Sequence, residues 1–183
     1  ARFDVALARL AASLQRSAVD EALLREVVAA VRAEYEAGAV PLDEIRVDPV
    51  PPDVIVEVYR SDLRIILKNV VRNAVLAAGR DAAPRRIALD VAVDLLPTGE
   101  ETVRVRVRDT SREPLTTEAI YARRVDRGLG LVTAALDRYQ GAIEVAPEPP
   151  GSDFAKAVVV RLFRALDEAD GDTIATAPSL EAA

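Results

Sequence analysis

Two runs of strict alternation constrain this chain more than any other feature. Ile87, Leu89, Val91, Val93 and Leu95 alternate with Ala88, Asp90, Ala92 and Asp94, and Val103, Val105 and Val107 alternate with Arg104, Arg106 and Arg108. A period of two marks a strand with one face in a core and the other in water. Thr98, Gly99 and Glu100 supply turn chemistry between the runs, so the two strands are expected to be neighbours. Their Asp and Arg rows would then face each other on the wet side, where such pairs contribute little. Asp109 continues the phase of the valines, which aims its carboxylate inward, and a buried carboxylate needs donors. A purine's exocyclic amine, a backbone amide or a trapped water would each serve.

Helical spacing governs much of the rest. Phe3, Leu7, Leu10 and Leu14 predict a first helix, and Leu23, Leu24, Val27, Val28, Val31 and Tyr35 a second, opening at Asp20 and Glu21 and stopping at Gly38 before Pro41. Residues 45–50 and 54–59 read as two short strands around Pro51 and Pro52, a hairpin or a loop-linked pair. Leu63, Ile66, Leu67, Val70, Ala74 and Ala77 then predict a helix over 62–78, capped by Ser61 or Asp62 and ended by Gly79. A polar stretch over 110–127, a helix over 129–139 and strands at 142–145 and 155–163 follow. Beyond Arg164 the chain is acidic and poor in large apolar residues, so 165–183 is expected to be a disordered tail. This order predicts an α+β fold, a two-layer α/β sandwich with helices on one face of a mixed, mostly antiparallel sheet.

Composition narrows the chemistry. Of 183 residues, 50% are apolar, ample for one domain's core. A net charge of -6 argues against a nucleic-acid partner, which demands a basic face. With no cysteine and no histidine, thiolate zinc sites and Ser-His-Asp catalysis are excluded. Charges interrupt every apolar stretch, so a soluble, cytoplasmic piece is expected, whose parent could still be membrane-anchored. Starting at Ala1 without any methionine, it reads as a processed or excised piece, and what it lacks says little of a parent.

Three groups of residues could carry chemistry. Asn69 and Asn73 stand four apart on one helix face; such amides either point into solvent or offer oxygen to a magnesium ion that carries phosphates. Gly128 and Gly130 enclose Leu129 just before a helix, which allows a phosphate to approach the helix N-terminus or simply relieves crowding. Arg123, Arg124 and Arg127 precede them, either as phosphate contacts or as a solvated loop.

In their order these segments resemble a known family. Residues 63–74, with Asn69 and Asn73, resemble the asparagine box of bacterial sensor histidine kinases, and 127–132 their later glycine box. Residues 139–145 and 151–163 are similar to the segments that follow, and the resemblance spans 19–164. It implies a GHKL-type (Bergerat) ATP-binding catalytic domain over 18–164, preceded at 1–17 by a lead-in helix or the end of a dimerisation hairpin. By the same resemblance Asn73 would bind magnesium with Asn69 assisting, and Asp109 would hold the adenine amine. Ser111, Arg124, Arg127, Gly128, Leu129 and Gly130 would line the nucleotide site, and 112–127 would form a short ATP lid. The implied partners are ATP, a phosphoacceptor histidine on the parent or another chain, and a response regulator, with a homodimer through the first helix. Two departures stand out. Ser111 and Glu113 occupy places where the family carries glycines, and Leu76 one where it often carries lysine. Side chains there crowd a purine or repel a triphosphate, which favours a second reading, a degenerate pseudokinase serving as a docking module. A serine kinase of the anti-sigma-factor type is a third, disfavoured by the lead-in helix.

Overall fold

The computed structural model describes residues 15–36, 42–81, 84–122 and 128–165. The first predicted helix, the stop at Gly38 and Pro41, residues 123–127 and the acidic tail from 166 lie outside them.

The alternating runs are strands β4 (Arg86–Leu95) and β5 (Glu101–Asp109), paired antiparallel with Val91 opposite Val105 and Asp90 opposite Arg106. Gly99, at φ +88°, makes the turn between them, where its amide donates to Leu96 O at 2.9 Å. Strand β7 (Lys156–Phe163) pairs antiparallel with β5, and β6 (Ala142–Pro147) antiparallel with β7. β2 (Glu44–Val47) adds to the other edge, parallel to β4, completing the order β2-β4-β5-β7-β6. The mixed, mostly antiparallel sheet is therefore as expected.

Residues 45–50 and 54–59 do not form a pair. The second of them yields only β3 (Ile55–Val56), which joins a separate two-stranded sheet with β1 (Ser17–Ala18). Ser17, expected to end a lead-in helix, is thus a strand residue, and its hydroxyl donates to Val58 O at 2.6 Å. Nothing local announces a two-residue strand, because its hydrogen bonds come from far along the chain.

Helices cover one face of the larger sheet. α1 (Glu21–Glu36) is capped by Asp20, whose carboxylate accepts from Leu23 N at 2.7 Å. α2 (Arg60–Arg80) lies against the sheet between α1 and α4 (Gly128–Asp137), with the short α3 (Thr117–Tyr121) beyond α4. Two of its boundaries differ from expectation. Tyr59, not Ser61 or Asp62, is the N-cap and makes no side-chain capping bond; Asp62 instead accepts the Tyr139 hydroxyl and lies 3.3 Å from Arg138. At the other end the helix runs through Gly79 to Arg80: glycine costs only about 1 kcal/mol in a helix, and Ala77 and Ala78 are buried beside it.

Leu63, Ile66, Leu67, Val70, Val71 and Ala74 of α2 are fully buried, against Ile87, Leu89, Val103, Val105 and Val107 of the sheet. Truncating one such leucine to alanine costs about 2–5 kcal/mol. This layer fixes where α2 stands relative to the end of β5, and that spacing defines the site.

Candidate functional site

Alternation aims Asp109 inward as its phase requires, and it is 0% exposed. Its Oδ1 accepts from Ser111 N at 2.9 Å and from Lys156 Nζ at 3.0 Å, while Oδ2 is buried with no hydrogen-bond partner among the described residues. Burial pushes the Asp109 carboxyl above the ordinary carboxylate range, against the pull of Lys156 and the Ser111 amide.

Lys156 was missed in the sequence. It sits directly opposite Asp109 in the β5–β7 ladder and is 8% exposed. Its ammonium also donates to Ser111 O at 2.7 Å. The signal was available: Lys156 is in phase with Val158, Val160 and Leu162, all buried on the inner face.

Ser111 is more than an obstacle at a glycine position. Its side chain is buried, and its Oγ accepts from Glu113 N at 3.1 Å, closing a small turn after β5. The same loop is tied to the end of α2: Asp81 accepts from Arg112 N at 2.7 Å, which holds its carboxyl below the usual range, and Arg80 Nη1 lies 3.3 Å from Glu113. The carboxylate meets the helix end as an ion pair of two exposed side chains.

Asn69 and Asn73 share the half-exposed edge of α2 as expected. The Asn69 amide donates to Ile65 O of its own helix at 2.8 Å. Asn73 lines a cavity of about 160 Å³ with Leu76, Arg80, Glu113, Leu115 and Lys156. Across Glu113, Pro114 and Leu115 lies a second hollow, about 440 Å³, reaching Val145 and Pro147 of β6; Lys156 lines both. One loop segment therefore divides the cleft between α2 and the sheet edge.

Gly128 opens α4 at φ +57°, a left-handed conformation that suits glycine. Gly130 O accepts the Thr133 hydroxyl at 2.8 Å, and Leu129 is wholly buried in the core, so its side chain belongs to packing. Arg124 and Arg127 lie outside the described residues, as does most of the second half of the expected lid.

For a nucleotide, chemistry and space disagree here. An unpartnered buried carboxylate oxygen suits a base amine, and Asn73 lines the adjoining cavity. Yet the volume beside Asn73 falls well below the ~300 Å³ at which small-molecule sites begin. No group of three acidic side chains among the described residues is placed to hold a metal ion. No helix among the described residues is long and apolar enough to cross a membrane.

No protein-family model matches the sequence, and no curated protein does. Solved structures match in shape. The ATP-binding domain of PrrB from Mycobacterium tuberculosis is 21% identical with a TM-score of 0.56, over 83% of this chain and 99% of that one. Histidine kinase ThkA in complex with the response regulator TrrA gives 19% identity and a TM-score of 0.60, over 82% of this chain and 41% of that one. Full-length ShkA in complex with AMPPNP gives 23% and 0.58, over 84% and 32%. The chain has the fold of a histidine-kinase ATP-binding domain.

Proposed function

We propose that this chain is the ATP-binding domain of a two-component histidine kinase, built to hold Mg-ATP between α2 and the end of β5. The observation that carries the reading is Asp109: a fully buried carboxylate with one oxygen unpartnered among the described residues, whose partner Lys156 lines a cavity together with Asn73. In this reading Asp109 takes the adenine amine, Asn73 with Asn69 supports magnesium, and the backbone around Gly128 and Gly130 meets phosphate. Arg124 and Arg127 would complete the phosphate end. The receiving histidine must come from outside a sequence that contains none, and a response regulator would take the phosphate from there. The likeness to ThkA with TrrA and to ShkA with AMPPNP supports both partners.

A second reading is favoured by one specific arrangement. The Lys156 ion pair already engages Asp109, and Ser111 buries a side chain in the turn after β5, as expected of a degenerate domain kept for docking in signalling.

Calorimetric titration with magnesium and AMPPNP, beside Asp109→Asn and Asn73→Ala, decides between them. Saturable binding that both substitutions abolish is expected of the first reading. A folded chain that binds nothing, even with its cleft opened by mutation, belongs to the second.

A further inference from the structure

We infer that Lys156 is an internal occupant of the base subsite: its ammonium holds the carboxylate that would receive a nucleobase amine, and a nucleotide enters only when that ammonium leaves Asp109. The inference rests on the cleft being a nucleotide site.

Both groups offer N–H donors to one carboxylate, but they are not equal competitors. The ammonium is charged, and a charge-assisted bond is roughly twice as strong as a neutral one. A purine amine is neutral. Lys156 is also held from two sides, by Asp109 Oδ1 at 3.0 Å and Ser111 O at 2.7 Å. The register keeps it there, since Ala155 N donates to Asp109 O at 2.9 Å on the same pair of strands.

Residue choice points the same way. Of 24 basic residues, only Lys68 and Lys156 are lysines. On the sheet's wet face arginines span between carboxylates, whereas a compact ammonium suits the enclosed gap opposite Asp109.

Asp109 Oδ2 shows that the carboxylate has capacity left; room is what is missing. Because Lys156 lines both hollows, withdrawing its side chain would add room to each of them on either side of the 113–115 segment. The other closure, Arg80 with Glu113, has side chains 66% and 48% exposed, and pairs of that kind contribute little. The lysine is therefore the stronger latch.

The test titrates magnesium and AMPPNP into the wild-type chain, Lys156→Thr, Lys156→Arg and Ser111→Gly/Glu113→Gly, each first shown to be folded by circular dichroism. Lys156→Thr is expected to bind about tenfold tighter than wild type or better, a factor of ten being about 1.4 kcal/mol, and Lys156→Arg no tighter. Tighter binding by the double glycine variant but not by Lys156→Thr would overturn the inference and leave the nucleotide site standing. Binding by none of them would overturn both. Should Lys156→Thr not fold, acylation of wild-type amines read by mass spectrometry serves instead, with the half-exposed Lys68 as the reference. Lys156 should label more slowly than Lys68 and gain reactivity under saturating nucleotide. Equal labelling of the free chain, or protection unchanged by bound nucleotide, would refute the latch.

Discussion

Strand β5 carries charge on both faces, and the faces treat it in opposite ways. Outward, Asp90 lies 3.0 Å from Arg106 and 3.1 Å from Arg108, while Asp94 serves Arg104 at 3.1 Å and Arg161 at 2.8 Å. These carboxylates each hold two cations on a partly exposed face, so losing one arginine leaves another in place. Inward, Asp109 has Lys156 as its single counter-ion among the described residues, and both are buried. Identical chemistry is thus redundant where wet and decisive where dry, because desolvation magnifies both the attraction and the penalty for breaking it.

The largest expected effect follows from removing one inward partner. Asp109→Ala strands the Lys156 ammonium and should reduce stability by about 3–5 kcal/mol in urea unfolding. Replacing both, Asp109→Leu with Lys156→Met, should recover most of that loss, since an apolar pair leaves no unpaired charge. A double variant as unstable as the single one would show that the inward pair is not the exception it is held to be.

Titration separates the two environments next. Asp109 has a folded pKa raised by burial, so its stabilising contribution is fully present below the ordinary carboxylate value and is lost as pH rises through the folded one. Asp81, lowered by the Arg112 amide, contributes above the ordinary value and loses that contribution as pH falls through its folded one. Carboxyl-carbon NMR should find Asp109 titrating at higher pH than Asp81; the reverse order would place Asp109 in a wet environment.

The smallest effect belongs to the outer face. Arg104→Ala, which leaves Asp94 its pairing with Arg161, should cost at most about 1 kcal/mol, and added salt should shrink it. A larger, salt-insensitive loss would mean that the outer ladder is as dry as the inner pair.

Legibility in the sequence tracked the range of the interaction that decides each element. The β4–β5 hairpin, the inward Asp109 and the buried stripe of α2 follow from local period, and all of them are as read. β1 was invisible because Ser17 and Ala18 become a strand only through Val56 and Ile55. β2 looked like half of a hairpin, since nothing in residues 45–50 says that its partner is Ile87 and Leu89. At the site, Asn73 and Asp109 stand out in the sequence as candidates, but Lys156 does not. It was passed over as the start of a strand, although its phase with Val158 already put an ammonium on the inner face. Ser111 was read as crowding, whereas its hydroxyl and carbonyl also organise the loop that closes the cleft.

The small sheet of β1 and β3 has a mechanical consequence. β3 pairs with Ser17 and Ala18 on one side, while Val56 bridges Arg164 and Ile55 O accepts from Ala165 N at 2.9 Å. The backbone segments by which the chain enters and leaves this body are therefore clamped to the same two residues. From Val56 the chain reaches Tyr59 and turns directly into α2. Torque applied at Ser17 has a short, hydrogen-bonded lever arm to the helix that bears Asn69 and Asn73, and the backbone at Arg164 and Ala165 is held in the same clamp.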